Sequence, residues 1–533
     1  MEHRPVVLVA DSISASELTP LSAAGIEVLD RSGISAADLA LEIGRCDGLL
    51  VRSRTKVDAA LLARATRLRV VGRAGTGVDN VDLVAATRAG IVVMNVPSGN
   101  TNAAAEHTIA LLMALARHVA DGASALRKGQ FEQKPFIGIE VEGRTLGVIG
   151  LGRIGRAVAS KARGLGMRVS GFDPMLDASA IREMGIEPAD LGTLAANSDV
   201  VTVHVPLAEK TRHLVNAEFI ARMKRGARIL NVARGGIVDE KALLDALESG
   251  QLAGAALDVF EQEPPTNTAL LQHPRLLSTP HLGASTMEAQ SAVARLIAGQ
   301  VARFLTSGAV ENAVNLTGLG AEERAQLTPW MELARRLGVI AAGLIHGRPE
   351  SAELLRCGEG ILQRGDVLAA ESVVGLLTPW MGQSLNPVNA RVLAAEWGFS
   401  LVDRSLPGHR SFPGLLRLAV KAGAEELALD GTLFGHGMLR IVRAYGMNID
   451  AIPEGHMLFV RHRDRPGMIA AMGAILAAED LNIANMSVGR DVARGHALSI
   501  LNCDEAPSVE ALAAIGRLEG VESVRAVVAP PAA

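Results

Sequence analysis

The chain has 533 residues, 49% apolar and only 3% aromatic, with 55 glycines and a formal net charge of −4. That length exceeds one hydrophobic core and predicts three or four domains, and the apolar content excludes a disordered chain in favour of an Ala/Val/Leu-packed α/β protein rich in tight turns. The small negative charge gives no basis for a nucleic-acid partner, no stretch of about 18 uncharged apolar residues suggests a membrane partner, and Cys46, Cys357 and Cys503 lack metal-ligand spacing and fit a reducing, cytoplasmic setting.

The opening MEHRPVVLVADS reads as the start of a strand rather than a signal peptide. Short Val/Ile/Leu runs at 6–10, 26–29, 47–51, 69–72 and 91–94 then alternate with Ala/Leu-rich stretches, which predicts parallel βαβ units whose strands are buried on both faces. LLVRSRTKV ends one of these strands with Arg52 and Ser53, and RLRVVGRAGTGVDN ends the next with Arg73, Gly75 and Thr76. If these strands are neighbours, two guanidiniums at one sheet end suit a phosphate or carboxylate, while glycines let a ligand approach the backbone. The plainer alternative is a pair of solvated surface arginines. Ser98 to Ala120 is expected as one long helix, with Ser98 or Asn100 as its N-cap.

A second strand series is expected at 145–149, 168–172, 199–204, 228–232, 254–259 and 276–279. Its first strand runs into Gly150, Gly152 and Gly155 and then a helix, the order that turns backbone N–H groups toward a pyrophosphate. The next strand ends in Asp173, 18 residues after Gly155, where an acid can accept from both ribose hydroxyls and would repel a 2′-phosphate, favouring NAD. The glycines of RLRVVGRAGTGVDN have a different spacing, and VDNVD follows them where a helix would be needed.

Later strands of this series are followed by Arg234, by Asp258 with Glu261 and Glu263, and by His281. An arginine, an acid and a histidine at the ligand end of a nicotinamide-binding sheet are what oxidation of a hydroxy acid needs. His281 takes the hydroxyl proton, Glu263 favours its charged form, and Arg234 holds the substrate carboxylate. Glu261 competes with Glu263 for the partner role, and His204, in VTVHVPL, is a rival base read as structural. Another long helix begins near Met287. The expected fold class is α/β, with two Rossmann-like or flavodoxin-like lobes and a cleft for small ligands between them. Residues 1–98 with 287–317 form the substrate lobe and 99–286 the cofactor lobe. An α+β region follows over 318–452, and 455–533 reads as a ferredoxin-like βαββαβ module.

GLGRIG with FDP, NVARGGIVDE, ALDVFEQEPP and TPHLGAST together resemble the D-isomer-specific 2-hydroxyacid dehydrogenase family from about residue 5 to 316. VRSRTKV and GRAGTGVDNVD are similar to its phosphoglycerate-oxidising branch. The resemblance implies NAD as cofactor, 3-phosphoglycerate as substrate and Arg234, Glu263 and His281 as the catalytic set. It places cofactor contacts at Arg153, Ile154, Asp173, Val205, Val232, Ala233, Arg234, Asp258 and His281 to Ala284 including Gly283, with Thr76 on the nicotinamide side. Val205 stands where relatives often carry a polar residue, so its contact is expected through the backbone. Residues 455–533 resemble an ACT domain, a regulatory amino-acid sensor, and HRDRPG, with Gly467 at its turn, matches the serine-binding motif. L-serine is thereby implied as effector, held by His462, Asp464 and Asn482, with Asp464 replacing an asparagine of some relatives. Residues 318–452 resemble the intervening domain of the long form more diffusely, and Arg440 and Arg443 there are read as a solvated helix face in preference to an anion site. A homotetramer is also implied. The alternatives are a dehydrogenase of glyoxylate, hydroxypyruvate or D-lactate on the same fold, or an NAD-sensing corepressor-like protein.

Overall fold

The computed structural model describes residues 4–435 and 437–530, without the side chains at 321 and 359, so the first three residues of MEHRPVVLVADS lie outside the described residues. The chain forms two compact units. One holds the chain up to Arg73, Val78–Asn95 and everything from Ile297 onward, and the other holds Ala74–Gly77 with Val96–Leu296.

In the first unit, β1 (Val6–Val9), β2 (Glu27–Asp30), β3 (Gly48–Val51), β4 (Val70–Arg73) and β5 (Val92–Met94) make a parallel sheet in the order β2-β1-β3-β4-β5. The central strands are buried on both faces, as their unbroken apolar runs require. From Ile297 on, the helix Met287–Ser307 packs on this sheet so closely that a Cβ on Gly72 would stand 2.9 Å from Ile297 Cγ1.

The second unit holds β6 (Thr145–Ile149), β7 (Arg168–Phe172), β8 (Glu187–Pro188), β9 (Val200–Val203), β10 (Ala227–Asn231), β11 (Leu252–Leu257) and β12 (Leu276–Ser278). Their order is β12-β11-β10-β9-β6-β7-β8, so strand order reverses between β6 and β9, where parallel sheets of this kind hold ligands beyond their C-terminal ends. Strands expected in both series fall on these elements with ends displaced by at most two residues, and the two-residue β8 is additional. The single long helix expected over Ser98 to Ala120 is corrected to two. Thr101–Arg117 stops at His118, whose φ of 51° is left-handed, and Val119–Arg127 restarts at a 64° bend. Asn100 stands at the N-cap position but makes no cap, because its Oδ1 accepts from Thr76 Oγ1 at 2.6 Å. Among the described residues no single helix is long and apolar enough to cross a membrane.

The remainder of the first unit carries two more sheets. Strands β13 (Ser351–Cys357), β14 (Ser400–Leu406), β15 (Leu415–Ala422), β16 (Glu425–Phe434), β17 (Met438–Ala444) and β18 (Met447–Ala451) run in the order β14-β13-β15-β16-β17-β18, antiparallel except for β13 with β14. Arg440 and Arg443 therefore sit on a strand, not on a helix face: Arg440 pairs with Asp450 at 3.2 Å, and Arg443 Nε donates to Gly446 O at 3.1 Å. Strands β19 (Gly455–Arg463), β20 (Ile483–Arg490), β21 (His496–Cys503) and β22 (Val521–Ala529), with helices Met468–Ala478 and Val509–Gly516, form the βαββαβ module in the order β20-β21-β19-β22. One hydrophobic core joins it to the helix Ala321–Leu344: Met457, Phe459, Leu498, Ile500 and Val527 pack in the same cluster as Leu337, Ile340 and Leu344. The β20 edge also lies along β18, with Ser487 Oγ donating to Asp450 O.

Candidate active site

The glycine loop after β6 is built by three different steric demands. Gly150 has φ +93°, and a Cβ there would stand 2.7 Å from His204 O. A Cβ on Gly155 would stand 1.9 Å from Gly150 O, so only glycine lets the helix Arg153–Gly164 close onto the loop. Gly152 has nothing within 4 Å of such an atom. This open side precedes the first N–H groups of the helix, Arg153 and Ile154 among them, which lack intrahelical acceptors. The donor set and the free approach fit a dinucleotide pyrophosphate. Asp173 follows β7 with its carboxylate fixed against the loop: Oδ2 accepts Leu151 N–H and Oδ1 accepts Met175 N–H, both at 2.9 Å. Val205 packs at the base of this loop, its Cγ1 also 2.7 Å from the would-be Gly150 Cβ. Thr76 and Gly75 belong to this unit as well. Thr76 binds Asn100, and Gly75 O accepts Val96 N–H at 2.9 Å.

The turn after β10 is shaped by Asn231, buried to 1%, whose Oδ1 accepts Ala233 N–H at 3.0 Å and whose Nδ2 donates to Arg234 O at 2.8 Å. It carries Val232, Ala233 and Arg234, and backs onto Phe260 so tightly that a Cβ on Gly235 would stand 1.7 Å from Phe260 O. The turn after β12 carries His281 with φ +54°, a conformation rare outside glycine. It is held by His281 N–H donating to Asp258 O at 2.9 Å and Thr279 O at 3.0 Å.

His281 Nδ1 lies 2.8 Å from Glu263 Oε2, with the imidazole half exposed and Glu263 40% exposed. The structure thus separates the two acids of FEQEPP. Glu261 faces away, to His213 at 3.1 Å and to Glu240 N–H at 3.2 Å. The hydrogen bond to Glu263 raises the His281 pKa above its ordinary value; desolvation opposes this, and Arg234 lies near enough to oppose it too. Burial works against the Glu263 charge, but its bonds to His281 and to Phe260 N–H leave its pKa lowered. His204 is different. Desolvation pushes it down to about 4, and its Nε2 meets Thr202 Oγ1 at 3.0 Å, a structural arrangement.

Asp258 is wholly buried and already engaged by protein donors: His107 Nε2 at 3.2 Å, Thr279 Oγ1 at 2.6 Å, Leu282 N–H at 2.7 Å and Gly283 N–H at 2.8 Å. Gly283 packs against Val232, and Ala284 follows it in the same turn. Sequence reading missed His107. Its one signal is an isolated imidazole in the row Ala103, His107, Leu111 of an apolar helix face.

In the other unit, Val51 pairs with Arg73 in parallel register, so Arg52, Ser53 and Arg73 share one end of adjacent strands. Asp11 fixes that end, accepting Arg52 N–H at 2.6 Å and Thr55 Oγ1 at 2.7 Å. The three residues expected to bind serine are not brought together within the chain. His462 is buried to 2% and bonds Ser499 Oγ at 2.9 Å, and Asp464 takes Arg490 Nη1 and Arg494 N–H, both at 2.9 Å. Asn482 donates to Asp504 Oδ2 at 2.9 Å at the opposite end of the sheet, where β20 begins level with His456, roughly 20 Å along β19 from His462.

Comparison with known proteins fixes what this architecture belongs to. Over 518 residues, 97% of this chain and 98% of the other, the sequence is 37% identical to the D-3-phosphoglycerate dehydrogenase of Archaeoglobus fulgidus. The chain belongs to the D-3-phosphoglycerate dehydrogenase family. The human D-3-phosphoglycerate dehydrogenase is 41% identical over 79% of this chain and 80% of its own length. Residues 109–283 match the D-isomer specific 2-hydroxyacid dehydrogenase NAD binding domain, 326–444 the D-3-phosphoglycerate dehydrogenase intervening domain, and 456–520 the ACT domain. NAD is accordingly the cofactor, and the glycine loop, Asp173 and the β6/β9 reversal all lie within the matched NAD-binding span. Among solved structures, a glyoxylate reductase from Paecilomyes thermophila superposes with a TM-score of 0.54 at 30% identity, over 59% of this chain and 99% of that one. A D-3-phosphoglycerate dehydrogenase of this length therefore adds the intervening and ACT domains to a dehydrogenase body.

Proposed function

We propose that this chain oxidises D-3-phosphoglycerate to 3-phosphooxypyruvate, the first step of L-serine synthesis, and that L-serine feeds back on it through the ACT domain. The observation that carries the reading is the His281–Glu263 pair at 2.8 Å, with Arg234 close by, at the C-terminal ends of the NAD-binding sheet. Bound NAD supplies the hydride acceptor. His281 Nε2, the ring nitrogen not facing Glu263, takes the proton of the substrate's C2 hydroxyl as its C–H bond breaks, and Glu263 stabilises the imidazolium that results. The Arg234 guanidinium, with its N–H donors in a fixed fork, pairs with the substrate carboxylate and so orients C2.

Arg52, Ser53 and Arg73 are proposed to take the phosphate end, supported by the adjacency of β3 and β4, which puts two arginines at one sheet end, and Gly75 is proposed as a further substrate contact. Serine binding is assigned to His462 and Asp464 of one copy with Asn482 of a second, because a single chain holds them at opposite ends of its sheet. This assignment goes with a homotetramer, working in the cytoplasm. The test is a steady-state assay with 3-phosphoglycerate and NAD, with and without L-serine, beside unphosphorylated glycerate and D-lactate. Clear preference for the phosphorylated acid is expected; equal turnover of the unphosphorylated acids overturns the substrate assignment, and rates insensitive to serine overturn the regulatory one.

A further inference from the structure

The dehydrogenase reading leaves one histidine beside the reaction without a role. His107 points its Nε2 at Asp258 Oδ1, 3.2 Å away, and at Thr279 Oγ1, 3.1 Å away. Thr279 has one hydroxyl proton and gives it to Asp258 Oδ1 at 2.6 Å, so toward His107 it can only accept. The hydrogen between these three groups is therefore on Nε2, which donates to both.

The carboxylate they share is shut off from bulk solvent, since Asp258 is 0% exposed. A buried carboxylate persists only where donors satisfy it. Two of its four donors are the backbone N–H groups of Leu282 and Gly283, and Asp258 O accepts the N–H of His281 itself. Three successive N–H groups of the turn bearing the proposed base, His281 to Gly283, thus bond Asp258, with His107 and Thr279 closing the remaining side of its carboxylate. His281 has reason to leave this position if the support weakens: a non-glycine residue at φ +54° is held there only by surrounding bonds.

We propose that His107 is a positioning residue for hydride transfer: its Nε2–H, shared between Asp258 and Thr279, fixes the carboxylate that holds the His281–Gly283 turn, and so sets where the imidazole meets the substrate hydroxyl. This rests on the dehydrogenase reading for its catalytic consequence, and on the hydrogen-bond geometry alone for the placement of His281. A merely space-filling histidine would contribute to stability and leave the chemistry of folded enzyme untouched.

The experiment compares His107→Leu, which fills the volume without a donor, with His107→Gln, whose amide N–H extends to about the reach of Nε2, and with Thr279→Val. Each full-length protein is assayed for 3-phosphoglycerate oxidation across pH, with its melting temperature. His107→Leu is expected to lower kcat about 10- to 100-fold, the scale of one lost charge-assisted hydrogen bond. The KM for NAD should change far less, and the pH limb of His281 should move. His107→Gln is expected to recover most of the rate, and Thr279→Val to fall between. A His107→Leu enzyme with wild-type kcat and pH limb overturns the proposal whatever its melting temperature; if that variant does not fold, the same result for Thr279→Val does so. Should the wild type fail to oxidise 3-phosphoglycerate, that failure strikes the substrate reading instead. The positioning role is then read from the His281 ring titration by NMR, where identical curves for wild type and variants overturn it.

Discussion

Glu263 acts on His281 through charge, and the sign of that effect can be measured. The hydrogen bond from the imidazole to Glu263 raises the His281 pKa. Only the neutral imidazole accepts the hydroxyl proton, so oxidation should rise with pH through this elevated value, and the reverse reduction should fall through it. Glu263→Gln removes the charge. The oxidation limb should then move to lower pH while kcat drops on the order of 100-fold, because the ring loses both its orienting partner and the stabilisation of its charged form. A limb that stays in place would assign it to another group. Arg73 gives a prediction of the opposite kind. Arg73→Ala should raise the KM for 3-phosphoglycerate about 10- to 100-fold, the scale of one charge-assisted contact, with the NAD KM nearly unchanged. A loss of NAD affinity instead would put the cofactor at the Arg73 loop and overturn its assignment to the loop of Gly150, Gly152 and Gly155.

At the level of elements, Gly152 and Gly155, at the start of the helix Arg153–Gly164, separate folding from binding. A methyl on Gly155 would meet Gly150 O at 1.9 Å, so Gly155→Ala must push helix from strand and should cost about 1–3 kcal/mol or more, lowering the melting temperature. A methyl on Gly152 meets no protein atom within 4 Å. Gly152→Ala should leave melting of the apo protein unchanged and raise the KM for NAD roughly tenfold, about 1.4 kcal/mol, by occupying the phosphate approach. Equal effects of both changes on melting would mean the open side of Gly152 has been misassigned. This loop was legible in the sequence because strand, glycine spacing, helix and Asp173 are all local signals that agree. The break at His118 was not legible: Ala-Arg-His-Val contains no glycine or proline, and the left-handed φ of 51° at His118 is carried by no local breaker signal. The residues alone left Glu261 and Glu263 as rivals, the family pattern favoured Glu263, and only the structure shows it at His281; the His107–Asp258 contact joins residues 151 apart. Patterning finds elements and the ends where chemistry sits, while the bonds that orient those groups depend on chain pairings that no local window contains.

Across the first unit as a whole, the ACT and intervening domains read as separate modules in sequence, yet share one core. Phe459 and Val527, on the open face of the ACT sheet, pack in the cluster that contains Leu337 and Leu344, and a Cβ on Gly343 would stand 2.7 Å from Val527 Cγ2. The intervening domain is in turn clamped to the first sheet's Arg88–Gly90 turn. Asn386 Nδ2 donates to Gly90 O at 3.0 Å, Asn389 Nδ2 to Arg88 O at 3.3 Å, and Arg88 pairs with Glu396 at 2.6 Å. A ligand binding the ACT domain biases these neighbours only if its affinity differs between two arrangements of this shared core, and the core is what makes the arrangements interdependent. Phe459→Ala tests that dependence. Phe459 is 2% exposed, and its truncation should cost about 3–5 kcal/mol. If the two domains share their stability, hydrogen exchange should quicken in the helix Ala321–Leu344 as well as in β19 and β21, because opening either side uncovers the same apolar surface. Exchange that quickens in the ACT strands while that helix keeps its protection would show two energetically independent modules. Serine would then need a route other than this core to reach the dehydrogenase body.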